Sequence, residues 1–212
     1  MQKLLENATS FFDISIDLRS RIMLLVAAFA LVPTFFFPLW ELKLYSNQFP
    51  EGLQLEIYSY QLEGAKSGLR DDLAEINALN HYIGMKPLHE DDFTEFKWIP
   101  FVIGGVILLA LRAVVLGKMS KLVDLFVLFT YFGLFSLWSF YHKLYLYGHD
   151  LDPTAAVKVE PFTPPMFGHQ TMANFEVYSL PALGSYCMAL VPVLLLAAIW
   201  LSKRTRDAEA KA

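Results

Sequence analysis

The hydrophobic pattern of the chain consists of four long apolar runs separated by polar segments. Each run has the roughly 20 residues that an α-helix needs to cross a hydrocarbon layer about 30 Å thick. The runs predict membrane-spanning helices over residues 21–40, 98–117, 124–145 and 181–202. The pattern therefore predicts an all-α membrane protein with four transmembrane helices and a small cap formed by the two long segments between them.

The cations near the predicted spans indicate an orientation. Lysine and arginine in short loops stay on the cytoplasmic side. They cluster in the tail 1–20, around the turn 118–123 and in the tail 203–212, which all lie on one side of the four-span arrangement. Both termini are therefore expected in the cytoplasm, and segments 41–97 and 146–180 outside it. Arg112, near the inner end of the second span, has a stem long enough to reach the lipid headgroups.

Composition agrees with a membrane protein and excludes several functions. Hydrophobic residues make up 55% of the chain, and the mean hydropathy is +0.40. The net charge of −4 gives no reason to expect a nucleic-acid partner, because phosphate binding requires clustered lysine and arginine. The single cysteine, Cys187, excludes an intrachain disulfide and any site with several thiolates from one chain.

The first external segment contains the pattern of an amphipathic helix at about residues 67–83. Ser67 is a candidate cap, and Gly84 is expected to close the helix. Helical periodicity gathers an apolar stripe on one face, formed by Leu69, Leu73, Ile76, Leu79 and Ile83. A separate face carries small residues beside a histidine and a thioether, which predicts contact with something other than bulk water. That face consists of Ala74, Asn77, Ala78, His81 and Met85.

The external segments also contain residues that suit a soft metal. His81 and Met85 are spaced i, i+4, while Met166, His169 and Met172 recur at intervals of three. Imidazole and thioether ligands suit copper, especially Cu(I), and thioether is a poor ligand for magnesium or calcium. The alternative is that these side chains serve packing, hydrogen bonding or an interface. Spacing does not decide between the two.

No catalytic arrangement is evident in the sequence. Ser–His–Asp spacing, a phosphate-binding glycine loop and a dinucleotide fingerprint are all lacking. A non-catalytic role is therefore favoured over that of an enzyme.

Three external motifs resemble a known family. They are Phe49-Pro50-Glu51-Gly52-Leu53, the stretch from Glu75 to Met85 and the stretch from Gly148 to Pro153. They resemble segments of a family of small multi-pass bacterial membrane proteins associated with genes for nitrous oxide reductase maturation and other copper-dependent respiration. The resemblance covers less than half the chain, and the paired-cysteine motif of many copper chaperones is missing.

The resemblance implies a bacterial inner-membrane protein whose external segments are periplasmic and assist copper handling or respiration. It points to Asn80, His81, Tyr82, Gly84 and Met85, and to His149 and Asp150. Two hypotheses follow. The first is a non-catalytic accessory protein for a periplasmic or membrane copper or electron-transfer system, with copper as its candidate cofactor. The second is a structural subunit of a larger respiratory or photosynthetic complex, with other protein subunits and the lipid bilayer as its partners and no metal of its own.

Overall fold

The computed structural model describes residues 9–68, 70–172 and 175–209, and these form two compact units. The helical unit comprises Met1–Pro33, Phe101–Leu134 and Tyr186–Ala212, and the sheet unit comprises Thr34–Pro100 and Phe135–Ser185. In chain order the named elements are α1 (Leu18–Ala30), β1 (Trp40–Tyr45), β2 (Leu53–Ile57), β3 (Leu62–Gly64), β4 (Lys66–Ser67), β5 (Arg70–Asp71), α2 (Asp72–Tyr82), α3 (Glu95–Leu116), α4 (Met119–His149), β6 (Gly168–Met172), β7 (Phe175–Pro181) and α5 (Leu183–Glu209). Short 3₁₀ turns lie at Val32–Phe35 and Glu90–Asp92.

Among the described residues, four helical segments are long and apolar enough to cross a membrane. They are Leu18–Phe35, Glu95–Leu116, Met119–His149 and Leu183–Ala208. This is consistent with a multi-pass membrane protein. The predicted boundaries differ in detail. Helix α1 ends at Ala30 and is followed by the 3₁₀ turn, well before residue 40. Helix α4 begins at Met119, within the predicted turn 118–123, and α5 extends to Glu209, within the predicted tail 203–212.

Buried side chains in the helical unit recur at alternating intervals of three and four. Such spacing is typical of helices packed at shallow angles. Several buried positions are alanines, which allow helix backbones to approach closely. The buried residues with this spacing are Ser20, Leu24 and Ala27 in α1, Ile103, Val106, Ala110 and Ala113 in α3, Leu122, Leu125, Phe129 and Phe132 in α4, and Val191, Leu195, Ala198 and Ser202 in α5.

The segment before α1 is bound to the turn between α3 and α4. The N–H of Ile16 donates to the carbonyl of Gly117 (2.9 Å), and the N–H of Met119 donates to the carbonyl of Ile14 (2.9 Å). Ile14 and Ile16 are both buried. The predicted cytoplasmic tail is therefore anchored to the unit at Ile14 and Ile16, while residues 1–8 lie outside the described ranges.

The sheet unit contains an antiparallel sheet of five described strands in the order β3-β2-β1-β7-β6. Strand β1 pairs on one side with β2, from the same long connection, and on the other with β7, from the second connection. The residues of β1 alternate in character, and Trp40 and Leu42 are buried beneath one face. The two connections, which the sequence predicts to form one cap, thus share one sheet.

The prediction of an all-α protein is wrong: the protein is mixed α/β, with this sheet and a two-stranded hairpin of β4 and β5 among the described residues. The physical reason is side-chain alternation. An apolar residue stands at nearly every second position of residues 40–45, 53–57 and 175–181, and a strand places these on one face, where most of them are buried.

Helix α2 begins at Asp72 rather than at residue 67, because residues 66–67 and 70–71 pair as strands β4 and β5. Its cap is Asp71, whose side chain accepts from the N–H of Leu73, so Ser67 is not the cap. Asp72 is 1% exposed and accepts hydrogen bonds from the N–H of Gln54 (2.9 Å) and the Nε of Arg70 (2.8 Å). These bonds join the start of α2 to β2. The predicted stripe residue Leu69 lies outside the described residues.

Candidate functional site

The predicted His81–Met85 face is interrupted by the end of α2. The N–H of Met85 donates to the carbonyl of Asn80 (2.8 Å), and the N–H of Gly84 donates to that of His81 (3.2 Å). Gly84 has a φ of +79°. This is the Schellman arrangement, in which a left-handed glycine ends a helix and turns the chain away. Gly84 closes the helix as predicted, but Met85 has left the helical phase that placed it on a face with His81.

The predicted small-residue face is accessible in part. Ala74, Ala78 and His81 are exposed, Asn77 and Met85 are half-buried, and a contact of this face with a metal or a partner stays a prediction. Asn77 is occupied within the fold, because its side-chain oxygen accepts from the N–H of Leu88 (2.7 Å) and its amide donates to the carbonyl of Leu88 (3.3 Å). These hydrogen bonds to Leu88 therefore explain the position of the Asn77 side chain better than an external contact does.

The motif around Gly84 packs against the second connection. The N–H of Asp152 donates to the carbonyl of Gly84 (2.8 Å), and the N–H of Val157 donates to that of Tyr82 (3.0 Å). A Cβ on Gly84 would lie 2.8 Å from the carbonyl oxygen of Asp152. Glycine is required here both by its φ and by this close approach. Two of the motifs noted in the sequence are thus adjacent in space.

Charged groups around this contact are paired and exposed. Lys86 and Asp150 form an exposed ion pair at 2.5 Å, and this hydrogen bond raises the pKa of Lys86. Hydrogen bonds from Thr154 lower the pKa of Asp152, with a smaller contribution from the charge of His81. These groups form a solvated connection between the two segments.

The remaining predicted interaction residues differ in accessibility. Asn80 is 8% exposed and therefore buried, whereas Tyr82 is 60% exposed. His149 stacks on Tyr145, with 3.8 Å between ring centroids, and its Nδ1–H donates to the carbonyl of Tyr145 (2.9 Å). Tyr82, His149 and Asp150 are thus available at the surface, and Asn80 is not.

The second predicted ligand set is divided by the sheet. Met166 is partly buried against the core beneath the sheet, where its carbonyl accepts from the hydroxyl of Ser179 (3.0 Å). His169 pairs in register with Tyr178, and this places it on the opposite face. The side chain of Met172 lies outside the described part of the structure. Met166 and His169 therefore do not converge.

In the described ranges, no group of three or more histidine, cysteine, aspartate or glutamate residues is positioned to hold a metal. Methionine is not among these residue types, so copper binding through His81 and Met85 stays a prediction. If these residues bind copper, the purified parent protein is expected to hold stoichiometric Cu(I), and both His81→Ala and Met85→Leu are expected to lose bound metal. The bound metal is measured by elemental analysis after removal of excess Cu(I). Less than stoichiometric binding by the parent would contradict the hypothesis, and His89→Ala is the matched control.

The most distinctive surface in the sheet unit is the face of the sheet that lies opposite the core. We call it the polar sheet face. Its members share one side of the sheet through the strand register and are half-buried or exposed. They are Glu41, Lys43, Tyr45, Gln54, Glu56, Glu63, His169, Thr171, Glu176, Tyr178 and Leu180.

Three glutamates form a row across this face. Glu41 lies directly opposite Glu56, and Glu56 lies directly opposite Glu63. Neighbouring strands are about 4.8 Å apart, so three carboxylates follow one another at close range. Each has a local partner: Glu41 pairs with Lys43 (2.8 Å), Glu56 accepts from Gln54 and Tyr58, and Glu63 accepts from Gln61.

The pKa values of neighbouring groups reflect these carboxylates. The hydrogen bond to Glu41 raises the pKa of Lys43, so this lysine is held in its charged form. Burial, together with the hydrogen bond to Glu56, raises the pKa of Tyr58 to about 12. Near neutral pH the Tyr58 hydroxyl is therefore a proton donor to Glu56 and not a source of further negative charge.

An aromatic cluster adjoins the glutamate row. The rings of Tyr45 and Tyr178 meet edge to face with 5.7 Å between centroids, and His169 lies 4.5 Å from Tyr178 by the same measure. Glu176 approaches the Nε2 of His169 at 4.0 Å. Tyr178 is 37% exposed. Acidic and aromatic groups thus stand side by side on one accessible sheet face.

Sequence reasoning missed this face because its residues come from strands that are distant in the chain. The available signal was the alternation in residues 40–45 and 175–181, which carries a polar residue between most apolar ones.

Comparison with protein-family models, with curated proteins and with solved structures found no match.

Proposed function

We propose that the protein is a non-catalytic accessory subunit of a larger membrane assembly and that its polar sheet face binds a partner protein through arginine and lysine side chains. The observation that supports this most directly is the row of Glu41, Glu56 and Glu63 beside the exposed Tyr178. The chain's resemblance to proteins of copper-dependent respiration makes respiratory complexes the first assemblies to examine.

The energetics of the row favour a basic partner. Like charges directly opposite each other destabilise a sheet, and a cation from a partner relieves that repulsion. An arginine from a partner pairs with a carboxylate through two parallel hydrogen bonds and also stacks on a tyrosine ring. Tyrosine and arginine are enriched among the residues that contribute most to binding. The polar sheet face offers both kinds of contact.

The charges of the two units support the proposed orientation. The helical unit contains ten lysine and arginine residues, which lie in or near the segments predicted to be cytoplasmic, whereas the seven of the sheet unit are dispersed. Lysine and arginine near membrane spans favour the cytoplasmic side. We therefore propose a bacterial inner-membrane protein with cytoplasmic termini and a periplasmic sheet unit.

The proposal predicts a contact that depends on position. Photo-crosslinking p-benzoylphenylalanine in place of Tyr178 is expected to give a discrete adduct with a partner protein in intact membranes. The same residue in place of Tyr82, which is also exposed and lies on α2, is the matched control and is expected to give none. The adduct is detected by gel electrophoresis and its partner identified by mass spectrometry. Equal adducts at both positions, or migration of the gently extracted protein as a lone monomer, would refute the proposal.

Charge neutralisation separates a specific contact from general acidity. The double variant Glu41→Gln, Glu56→Gln is expected to reduce the yield of the Tyr178 adduct about tenfold, because charge-assisted hydrogen bonds contribute about 1.5–3 kcal/mol. The variant Glu90→Gln, Asp91→Asn removes two exposed carboxylates from the 3₁₀ turn and is expected to leave the yield unchanged. An equal loss in both variants would indicate non-specific attraction.

A further inference from the structure

A groove in the helical unit combines positive charge with an apolar wall. It has a volume of about 110 Å³ and lies between the C-terminal part of α3 and the N-terminal part of α4. Arg112 and Lys121 supply its cations, and Asp124 supplies its one acid. Leu109, Leu125 and Leu128 form the apolar wall.

The guanidinium of Arg112 is available to a ligand. Arg112 is exposed, and its side chain forms no hydrogen bond or ion pair with any residue in the described ranges. Lys121 differs, because its Nζ pairs with Asp124 at 2.9 Å. With two cations and one anion, the groove carries a net positive charge. A free guanidinium offers a planar set of donors that matches phosphate oxygens in pairs.

Polarity changes along the groove in the way that a phospholipid requires. Helices α3 and α4 are joined at Gly117 and Lys118, so Arg112 and Lys121 both lie near the end of the helix pair. Leu109 lies about 4.5 Å farther along α3, and Leu128 about 10 Å farther along α4, at 1.5 Å per residue. Leu109 is 40% and Leu128 42% exposed. The charged end therefore meets the headgroup level, and the leucines extend toward the acyl chains.

We infer that this groove binds the phosphodiester headgroup of an anionic phospholipid, with Arg112 as its main contact and one acyl chain along Leu109 and Leu128. Basic pockets between membrane helices are sites of this kind. The inference is independent of the proposed partner of the sheet unit. It gives Arg112 a defined ligand rather than a general contact with lipid headgroups. The two differ because only a defined ligand predicts selective binding of an anionic lipid.

Native mass spectrometry of the full chain in detergent tests the inference. The protein is titrated with phosphatidylglycerol, with phosphatidylcholine of the same acyl chains and, separately, with inorganic phosphate. The parent is expected to retain phosphatidylglycerol at least about tenfold more strongly than the other two, because only that lipid combines a net negative headgroup with an acyl chain. Equal retention of both lipids, or equally strong binding of inorganic phosphate, would overturn the assignment.

Variants identify the groove as the site. Arg112→Gln is expected to reduce phosphatidylglycerol retention about tenfold, and Arg112→Lys less, because the charge remains without the planar fork. Lys203→Gln, an exposed cation of α5 that does not line the groove, is the matched control and is expected to change retention less than about twofold. Asp124→Asn removes the one acid and is expected to strengthen retention. An equal effect of Arg112→Gln and Lys203→Gln, or weaker retention in Asp124→Asn, would refute the site.

Discussion

Replacing Asp72 with alanine is expected to lower the free energy of unfolding of the sheet unit by about 2–4 kcal/mol. The carboxylate is 1% exposed, and its two oxygens accept from the N–H of Gln54 and the Nε of Arg70. Alanine leaves a buried donor and a guanidinium without their acceptor. Because the Arg70 side chain is 30% exposed, water recovers part of the loss, and the estimate lies below that for a fully buried pair.

The same arginine provides a matched control. Glu51 also approaches Arg70, at 4.0 Å, but its side chain is 85% exposed. Glu51→Ala is therefore expected to change stability by less than about 0.5 kcal/mol. Asp72→Asn keeps one acceptor oxygen, so its loss of stability is expected to lie between those of Asp72→Ala and Glu51→Ala. Urea-dependent proteolysis of the detergent-solubilised protein measures all three, and equal effects of Asp72→Ala and Glu51→Ala would show that the buried bonds contribute little.

Replacing Gly148 with alanine is expected to destabilise the protein by about 3 kcal/mol, at the upper end of the usual range for overpacking. A Cβ at this position would lie 1.8 Å from the carbonyl oxygen of Phe162 and 2.9 Å from its carbonyl carbon. Both atoms belong to the backbone, so no side-chain rotation relieves the clash. The N–H of Phe162 also donates to the carbonyl of Gly148 (3.0 Å), and displacing either chain weakens that bond.

Gly133, in the same helix α4, provides the control for the chemistry of the substitution. A Cβ on Gly133 meets nothing within 4 Å among the described residues. Alanine has the higher helix propensity, so Gly133→Ala is expected to be neutral or to stabilise the protein by up to about 1 kcal/mol. Thermal unfolding in detergent, followed by loss of secondary structure, compares the two variants. A similar loss in both would indicate a general intolerance of α4 to alanine.

The helices were predictable because a membrane span is a long signal. About 20 consecutive apolar residues leave few alternatives, and the four segments of suitable length and hydropathy in the described residues overlap the four predicted runs. The boundaries were less accurate where apolar residues continue past a helix end. Trp40 follows an aromatic-rich stretch and was assigned to the first span, but it opens β1 and lies in the core of the sheet unit.

The sheet was harder to predict because its strands are short and pair across long stretches of sequence. A strand of five or six residues alternates only two or three times, which is weak evidence beside a run of 20 apolar residues. The pairing of β1 with β7 joins residues from two separate connections, and no local sequence pattern predicts which distant strands pair.

The geometry of the candidate sites was hard to predict for a related reason. Helical periodicity was extended through Met85, but the chain turns at Gly84, so the spacing between His81 and Met85 no longer describes one face. Conversely, the intervals between Glu41, Glu56 and Glu63 have no periodicity. These three residues became a row only through the strand register.

The central position of β1 also determines when the polar sheet face forms during synthesis. Trp40 pairs with Ile57 in a local hairpin but with Pro181 on its other side. At about 5–20 residues per second, a ribosome takes roughly 7–30 s to advance from residue 40 to residue 181. For that period one edge of β1 stays unpaired while two further apolar helices are made, and the Tyr178 side of the face does not yet exist. The proposed binding surface is therefore complete only after residues 175–181 have been translated.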